Sequence, residues 1–266
     1  MNTVLKYPGA KNRLAPWIVS YIPKHKVYLE PFFGSGAIFF NKEPSHIETI
    51  NDLNSDVYNF FKVLREHGDI LAEHIKMTPF CREEYEQAYK NETYSEIEKA
   101  RIFAVKCWQG FGCSNLYRNG FRSGQREKSP DCAKAWNQIP ERLLEAADRL
   151  KMAQIENLPA IELMGRYDTE DVFIYCDPPY LHGTRKNYLY KHEMEDSEHE
   201  ELLKILAAHQ GRVLLSGYDN EMYNDYLSGW SKAQKDTSAE NGLRRTETIW
   251  MNYEVGAGQM QLELVR

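Results

Sequence analysis

A chain of 266 residues that is 42% hydrophobic can bury a full core and leaves room for a sizeable insertion within one domain. No apolar run approaches the ~18 residues of a membrane span, and the amino terminus lacks the apolar stretch of a secretory signal. Five cysteines without paired Cys-x-x-Cys spacing speak against a zinc site or a disulfide framework and fit a reducing cytoplasm.

In chain order, Lys6-Tyr7-Pro8-Gly9-Ala10-Lys11 precedes a helix, and Val27 to Glu30 reads as a strand. The strand runs into Pro31-Phe32-Phe33-Gly34-Ser35-Gly36, where Gly34 and Gly36 permit positive φ and a close backbone approach to a ligand. Ile47 to Asp52 reads as a second strand ending in a carboxylate. An acid about 20 residues beyond a glycine turn is placed to accept hydrogen bonds from a ribose. The phosphate-binding Gly-x-Gly-x-x-Gly pattern is absent and the turn carries no basic residue, so the ligand reads as a nucleoside without phosphates. Val57, Phe60, Phe61 and Leu64 predict an amphipathic helix after Asp52, and residues 96–109 and 141–150 also show helical spacing.

Between these helices, aromatic and basic residues alternate around Asn119-Gly120, a tight-turn signal. A hairpin there has the chemistry to enter a DNA groove, with arginine reading guanine. Further on, Val172 to Cys176 reads as a fully buried strand that ends at Asp177-Pro178-Pro179-Tyr180. Two prolines force the chain out of the sheet, leaving a carboxylate, a proline carbonyl and an aromatic ring at a strand's carboxyl end. Two acceptors and a stacking ring suit a planar amine such as that of an extruded adenine. His182, His192 and His199 read as loop or cap residues, and Ser197 to Glu200 as a capping box opening a helix with Leu202, Leu203 and Leu206 inward. Arg212 to Ser216 reads as a buried strand. Thr248–Tyr253 and Gln259–Val265, flanking Gly256-Ala257-Gly258, predict an antiparallel edge hairpin. The expected architecture is a doubly wound Rossmann-like α/β sheet with an inserted, mostly helical lobe at residues 61–149, framed by a catalytic domain of residues 1–60 and 150–266.

The motifs Lys-Tyr-Pro-Gly-x-Lys, Glu-Pro-Phe-x-Gly-Ser-Gly, Asn-Asp-Leu-Asn and Asp-Pro-Pro-Tyr, in this order, resemble those of the Dam-like DNA adenine-N6 methyltransferases. The resemblance implies the methyltransferase fold, S-adenosylmethionine as donor and double-stranded DNA as partner, with no membrane and no obligate protein partner. It implies that Tyr7 and Lys11 contact the cofactor and that Asp52 holds its ribose. Glu30, Phe32, Gly34 and Gly36 would line its methionine side, with Asp177 at the junction of donor and target base. Asn157-Leu158 stands where many members have an Asp-Phe pair for the cofactor adenine. Asp177, Pro178 and Tyr180 would carry the chemistry, with no metal. Leu116 and Arg118 would meet base edges, supported by Tyr117 and Asn119, and Lys6 resembles a residue near the target base.

The net charge of −6 does not exclude DNA, because the basic residues are segregated. The first 29 residues hold Lys6, Lys11, Arg13, Lys24 and Lys26 and no acid. A second stretch holds Arg118, Arg122, Arg126, Lys128 and Lys134, while Arg185 follows the catalytic motif and suits a phosphate beside a flipped base. The same amine chemistry would serve cytosine N4 or an RNA adenine, and motif order favours DNA adenine. A protein-amide methyltransferase would begin its motif with Asn, and a catalytically silent DNA-binding protein would not need intact motifs.

Overall fold

The computed structural model describes residues 3–90, 94–112, 117–124, 129–181, 190–238 and 244–255. Its strands are β1 (Val27–Glu30), β2 (Ile47–Asn51), β3 (Ala153–Glu156), β4 (Val172–Cys176), β5 (Arg212–Gly217), β6 (Ser231–Ser238) and β7 (Arg244–Met251). They form one sheet in the order β3-β2-β1-β4-β5-β7-β6. β1 to β5 are mutually parallel, and β7 joins β5 antiparallel and carries β6 on its outer edge. The central strands β4 and β5 are short runs buried on both faces, as helical crossovers require, whereas β3 at the sheet edge is partly exposed.

Residue alternation along the strands divides the core. Tyr28, Ile50, Phe173 and Leu214 face one layer, and Leu29, Val172, Ile174 and Val213 face the other. The second layer is closed by α7 (Ala160–Arg166), α8 (Asp196–Ala208) and α9 (Glu221–Tyr226). The first is closed by α1 (Ala15–Tyr21) and by the helices inserted between β2 and β3. These are α2 (Ser55–Met77), α3 (Arg82–Gln87), α4 (Glu96–Gln109), α5 (Cys132–Asn137) and α6 (Ile139–Leu150). Buried Glu48 of β2 is paired by Lys42 and by Arg149 of α6, tying the inserted helices to the sheet. Residue 61 falls inside α2, and one apolar core runs from the sheet through α2 to Trp108, Trp136 and Leu143.

The alternating sheet and the inserted helices agree with the sequence reading, as does the antiparallel edge, though a different strand pair forms it. β7 pairs with β6, which precedes it, while Gln259–Val265 lies outside the described residues. β6 (Ser-Lys-Ala-Gln-Lys-Asp-Thr-Ser) is polar because it is an edge strand, so it lacks the apolar alternation that would mark it. The capping box of α8 also sits two residues earlier than expected. The Glu195 N–H donates to the Glu198 carboxylate (2.7 Å), and Ser197 lies inside the helix. His199 is fully buried in α8 against the Tyr223 hydroxyl (2.9 Å), not a loop or cap residue.

Asn119-Gly120 is not a tight turn. Gly120 accepts from the Phe111 N–H (2.7 Å), and Gly110 bridges Phe121, so the pair lies in one of two antiparallel arms. Side-chain anchoring decides this: Phe121 packs against Phe80 and Tyr85, and the Tyr85 hydroxyl donates to the Asn119 carbonyl (2.7 Å). Among the described residues no helix is long and apolar enough to cross a membrane.

Candidate active site

The strand order places β1 beside both β2 and β4, so the chain departs in opposite directions from β1 and from β4. A crevice opens at the carboxyl ends of such strands. A cavity of about 830 Å³, counting the space at its mouth, lies there. Its wall includes Tyr7 and Lys11, Glu30 and Gly34, Asp52 and Asp177.

Local sequence explains each position. Pro31 cannot donate to a ladder, so β1 stops at Glu30 and the chain turns through Gly34 and Gly36, at φ of 51° and 68°. That turn lets the Gly34 N–H donate to the Asp52 carboxylate (2.8 Å), whose other oxygen accepts from the Asn54 N–H (2.9 Å). Asn54 then caps α2 and donates from its amide to the Tyr7 hydroxyl (3.2 Å). Asn51, buried at the end of β2, donates to the carbonyls of Pro31 (2.9 Å) and Leu158 (3.0 Å) and accepts from the Leu158 N–H (2.9 Å). One amide thereby fixes the ends of β1, β2 and β3 relative to one another.

Asp177 follows β4 directly. Its Oδ1 accepts from the Ser216 hydroxyl of β5 (2.9 Å), and its Oδ2 faces the Lys11 ammonium at 3.0 Å. Lys11 also donates to the Gly9 carbonyl (3.2 Å), faces Glu247 of β7 at 3.6 Å and lies 4.7 Å above the Tyr180 ring. Burial works against its charge, but Asp177 and Glu247 outweigh burial and hold its pKa above that of an ordinary lysine. The Tyr180 hydroxyl donates to the Glu247 carboxylate. Burial raises the Glu247 pKa, Lys11 opposes the rise and the Asp177 charge adds to it.

Two further acids on the wall are perturbed. Burial pushes Glu30 up to about 8, opposed by its hydrogen bond from the Tyr28 hydroxyl (2.7 Å) and assisted by the Asp177 charge. Burial likewise pushes Asp52 up to about 6 against its two backbone donors.

The structure brings together Tyr7, Lys11, Glu30, Phe32, Gly34, Asp52 and Asp177 on the cavity wall. Gly36 shapes the turn without lining the cavity, and Pro178 and Tyr180 stand beside the cavity. Asn157 is not on the wall either, and its amide donates to the Asp52 (2.6 Å) and Leu53 (3.2 Å) carbonyls. Lys6 holds its ammonium 4.4 Å above the Trp108 ring. Arg118 pairs with Glu86 on the surface (3.1 Å), Tyr117 is exposed, and the Arg122 N–H donates to the Gln109 carbonyl. Leu116, Arg126, Lys128 and Arg185 lie outside the described residues.

The sequence assigns no role to Asn51, Ser216, Glu193, Met194 or Glu247, whereas Tyr190, divided in sequence between lid packing and base contact, and His192, read as a loop or cap residue, both line the cavity. Glu247 had a legible signal. It alternates with Ile249 and Met251 on one face of a buried strand, where an acid is costly unless it is partnered.

A parallel sheet with an antiparallel edge hairpin, an acid-lined crevice at its carboxyl edge and an Asp-Pro-Pro-Tyr turn beside it define the methyltransferase class. Residues 7–240 match the family described as D12 class N6 adenine-specific DNA methyltransferase, and the chain belongs to this family. It is 29% identical over 245 residues to the DNA N-6-adenine-methyltransferase of Escherichia phage P1, covering 84% of this chain and 31% of that protein. It thus spans about a third of the length of that relative. It is 25% identical over 283 residues to the type II methyltransferase M1.LlaDCHI of Lactococcus lactis subsp. cremoris, covering 93% of this chain and 94% of that one. To the DNA adenine methylase of Escherichia coli K12 it is 25% identical over 260 residues, 91% of each chain.

Proposed function

We propose that the protein is a site-specific enzyme that transfers a methyl group from S-adenosylmethionine to the N6 amine of an adenine extruded from duplex DNA. The observation that carries this reading is the position of Asp177 between the crevice and the Pro178-Pro179-Tyr180 turn, held on one oxygen by Lys11 and on the other by Ser216.

The crevice suits this cofactor on its own chemistry. Asp52, Asp177, Glu193 and Glu198 line it beside a Glu30 that burial keeps protonated at neutral pH, and its lysine is already paired with carboxylates. Such a wall repels phosphates and favours a ligand carrying a sulfonium and an ammonium. Asp52 would hold the ribose, since each of its oxygens keeps a second lone pair beyond its backbone bond. Tyr7 and Lys11 would bound the donor from the amino-terminal segment. Glu30 and Phe32 would bound its methionine side. The bound donor supplies an electrophilic methyl group.

The adenine amine is a weak nucleophile because its lone pair is delocalised into the ring. Asp177 and the Pro178 carbonyl would accept its two N–H bonds, which favours a tetrahedral nitrogen with its lone pair turned toward the donor. Asp177 also stabilises the positive charge that develops on that nitrogen. Holding base and donor in line supplies much of the rate. Tyr180 would stack on the base, which must leave the duplex to reach the turn. Residues 1–60 and 150–266 would form this catalytic unit, and the inserted residues 61–149 would carry target recognition through Tyr117, Arg118, Asn119 and Arg122.

The test is transfer of radiolabel from S-adenosylmethionine to unmethylated plasmid DNA, followed by sequencing that reports methylated bases. Label at adenine N6 in one sequence context supports the reading, whereas label on cytosine or on no base overturns it.

A further inference from the structure

Glu247 lies on β7, seventy residues beyond the catalytic motif, yet its buried carboxylate touches two members of the proposed catalytic constellation. It accepts from the Tyr180 hydroxyl and faces the Lys11 ammonium at 3.6 Å. Lys11 in turn faces Asp177 at 3.0 Å. β7 makes a second such contact two residues earlier, where alternation places side chains on the same face. There Arg245 donates to the Tyr218 hydroxyl (2.6 Å), and the Tyr218 ring packs edge-on against Tyr180 at 4.6 Å.

The Tyr180 ring is therefore fixed at its hydroxyl by Glu247, on its face by Lys11 and at its side by Tyr218. A stacking platform that must receive a flipped base gains from such fixation, because a small misplacement of bound groups lowers the rate steeply. From this geometry we infer that Glu247 is a positioning residue for methyl transfer, which sets the Tyr180 ring and shares Lys11 with Asp177. This inference rests on the proposed function and adds the edge strand to its machinery.

The experiment uses the full chain, radiolabelled S-adenosylmethionine and unmethylated plasmid DNA. Glu247→Leu removes both contacts at similar volume, Glu247→Gln keeps an acceptor oxygen, and Tyr180→Phe removes only the hydroxyl. Glu247→Leu is expected to lower kcat by about tenfold to a hundredfold, the scale of a lost hydrogen bond to a charged group. Glu247→Gln should recover part of that loss, and KM for donor and DNA should stay within about threefold. Because the two residues act as a unit, Tyr180→Phe combined with Glu247→Leu should be no slower than Glu247→Leu alone. A folded Glu247→Leu protein with kcat near wild type overturns the inference, as do losses that multiply in the double variant. If Glu247→Leu does not fold, wild-type kcat in Tyr180→Phe overturns it instead. Asp177→Ala in the same assay separates the levels, since turnover by that variant removes the underlying reading and not the role of Glu247 alone.

Discussion

Lys11 illustrates how much a single side chain can organise. Its sequence neighbours suggest a surface cation, yet it is buried and shared by Asp177 and Glu247. The ammonium keeps two carboxylates compatible in one small volume, leaving Asp177 able to accept from a substrate. Asp177→Ala is expected to lower kcat by at least about a hundredfold, the scale of losing one transition-state contact. Asp177→Asn should be nearly as severe, because an amide brings N–H donors where acceptors are required; radiolabel transfer at saturating donor checks both. At Asp52, substitution by Ala is expected to weaken donor binding by about 1.5–3 kcal/mol, the scale of a charged hydrogen bond. Because Asp52 has its pKa raised to about 6, it gains its proton as pH falls through that value. Donor affinity in the wild type should therefore drop below about pH 6, and the Asp52→Asn protein should lose that dependence. Calorimetry across pH measures both, and a flat wild-type profile would leave Asp52 as only a fastener for Gly34 and Asn54.

At the scale of elements, the antiparallel arms at 109–111 and 120–122 carry exposed Phe111, and Tyr117 and Arg118 just ahead of the second arm are exposed as well. Arg118 must leave Glu86 to read a base, but an exposed pair of this kind opposes that by only about 0–1 kcal/mol. If Arg118 makes a bidentate guanine contact, Arg118→Ala should cost about 1–3 kcal/mol at the cognate site and relax preference at one base position. Lys128→Ala, if that residue meets only phosphate, should weaken all sequences alike and lessen the salt dependence. Binding to a library of duplexes differing by single base pairs distinguishes the two. An even loss with Arg118→Ala would make the arms an electrostatic anchor.

The elements themselves were legible to different degrees. β4, β1 and α2 carry apolar runs or helical spacing that the sequence displays directly. β6 does not, because an edge strand faces solvent, and Asn119-Gly120 misled because Phe121 and Tyr85 hold that segment extended. The motif-bearing half of the site could be read from Asp52 and Asp177. Ser216 and Glu247 could not be placed beside Asp177 without the strand order, which joins β5 and β7 to β4.

Across the whole molecule, the perturbed acids make stability depend on pH in a defined sense. Glu30 has its pKa raised to about 8 by burial, so between the ordinary glutamate range and about 8 the folded state holds a proton that the unfolded state releases. Stability contributed by that proton is present in full below the unfolded pKa and declines as pH rises toward about 8. Glu30→Gln, assayed without donor, should be more stable than wild type at pH 8 by about 1–4 kcal/mol and so unfold at a higher temperature. The advantage should vanish near pH 4, below the ordinary glutamate value, and thermal unfolding at both values checks it. The charge distribution also changes meaning in three dimensions. Lys11, counted within the acid-free first 29 residues, is turned inward, so that stretch offers one cation fewer to a phosphate backbone.

The convergence of residues 11, 177 and 247 around one ammonium bears on biosynthesis. A ribosome delivers Lys11 before Asp177, and β7 after both. Until that strand has inserted between β5 and β6, Lys11 faces one carboxylate where the finished protein has two. A nascent polypeptide that already holds β1 to β5 and the inserted helices would still lack the Glu247 contact to Lys11.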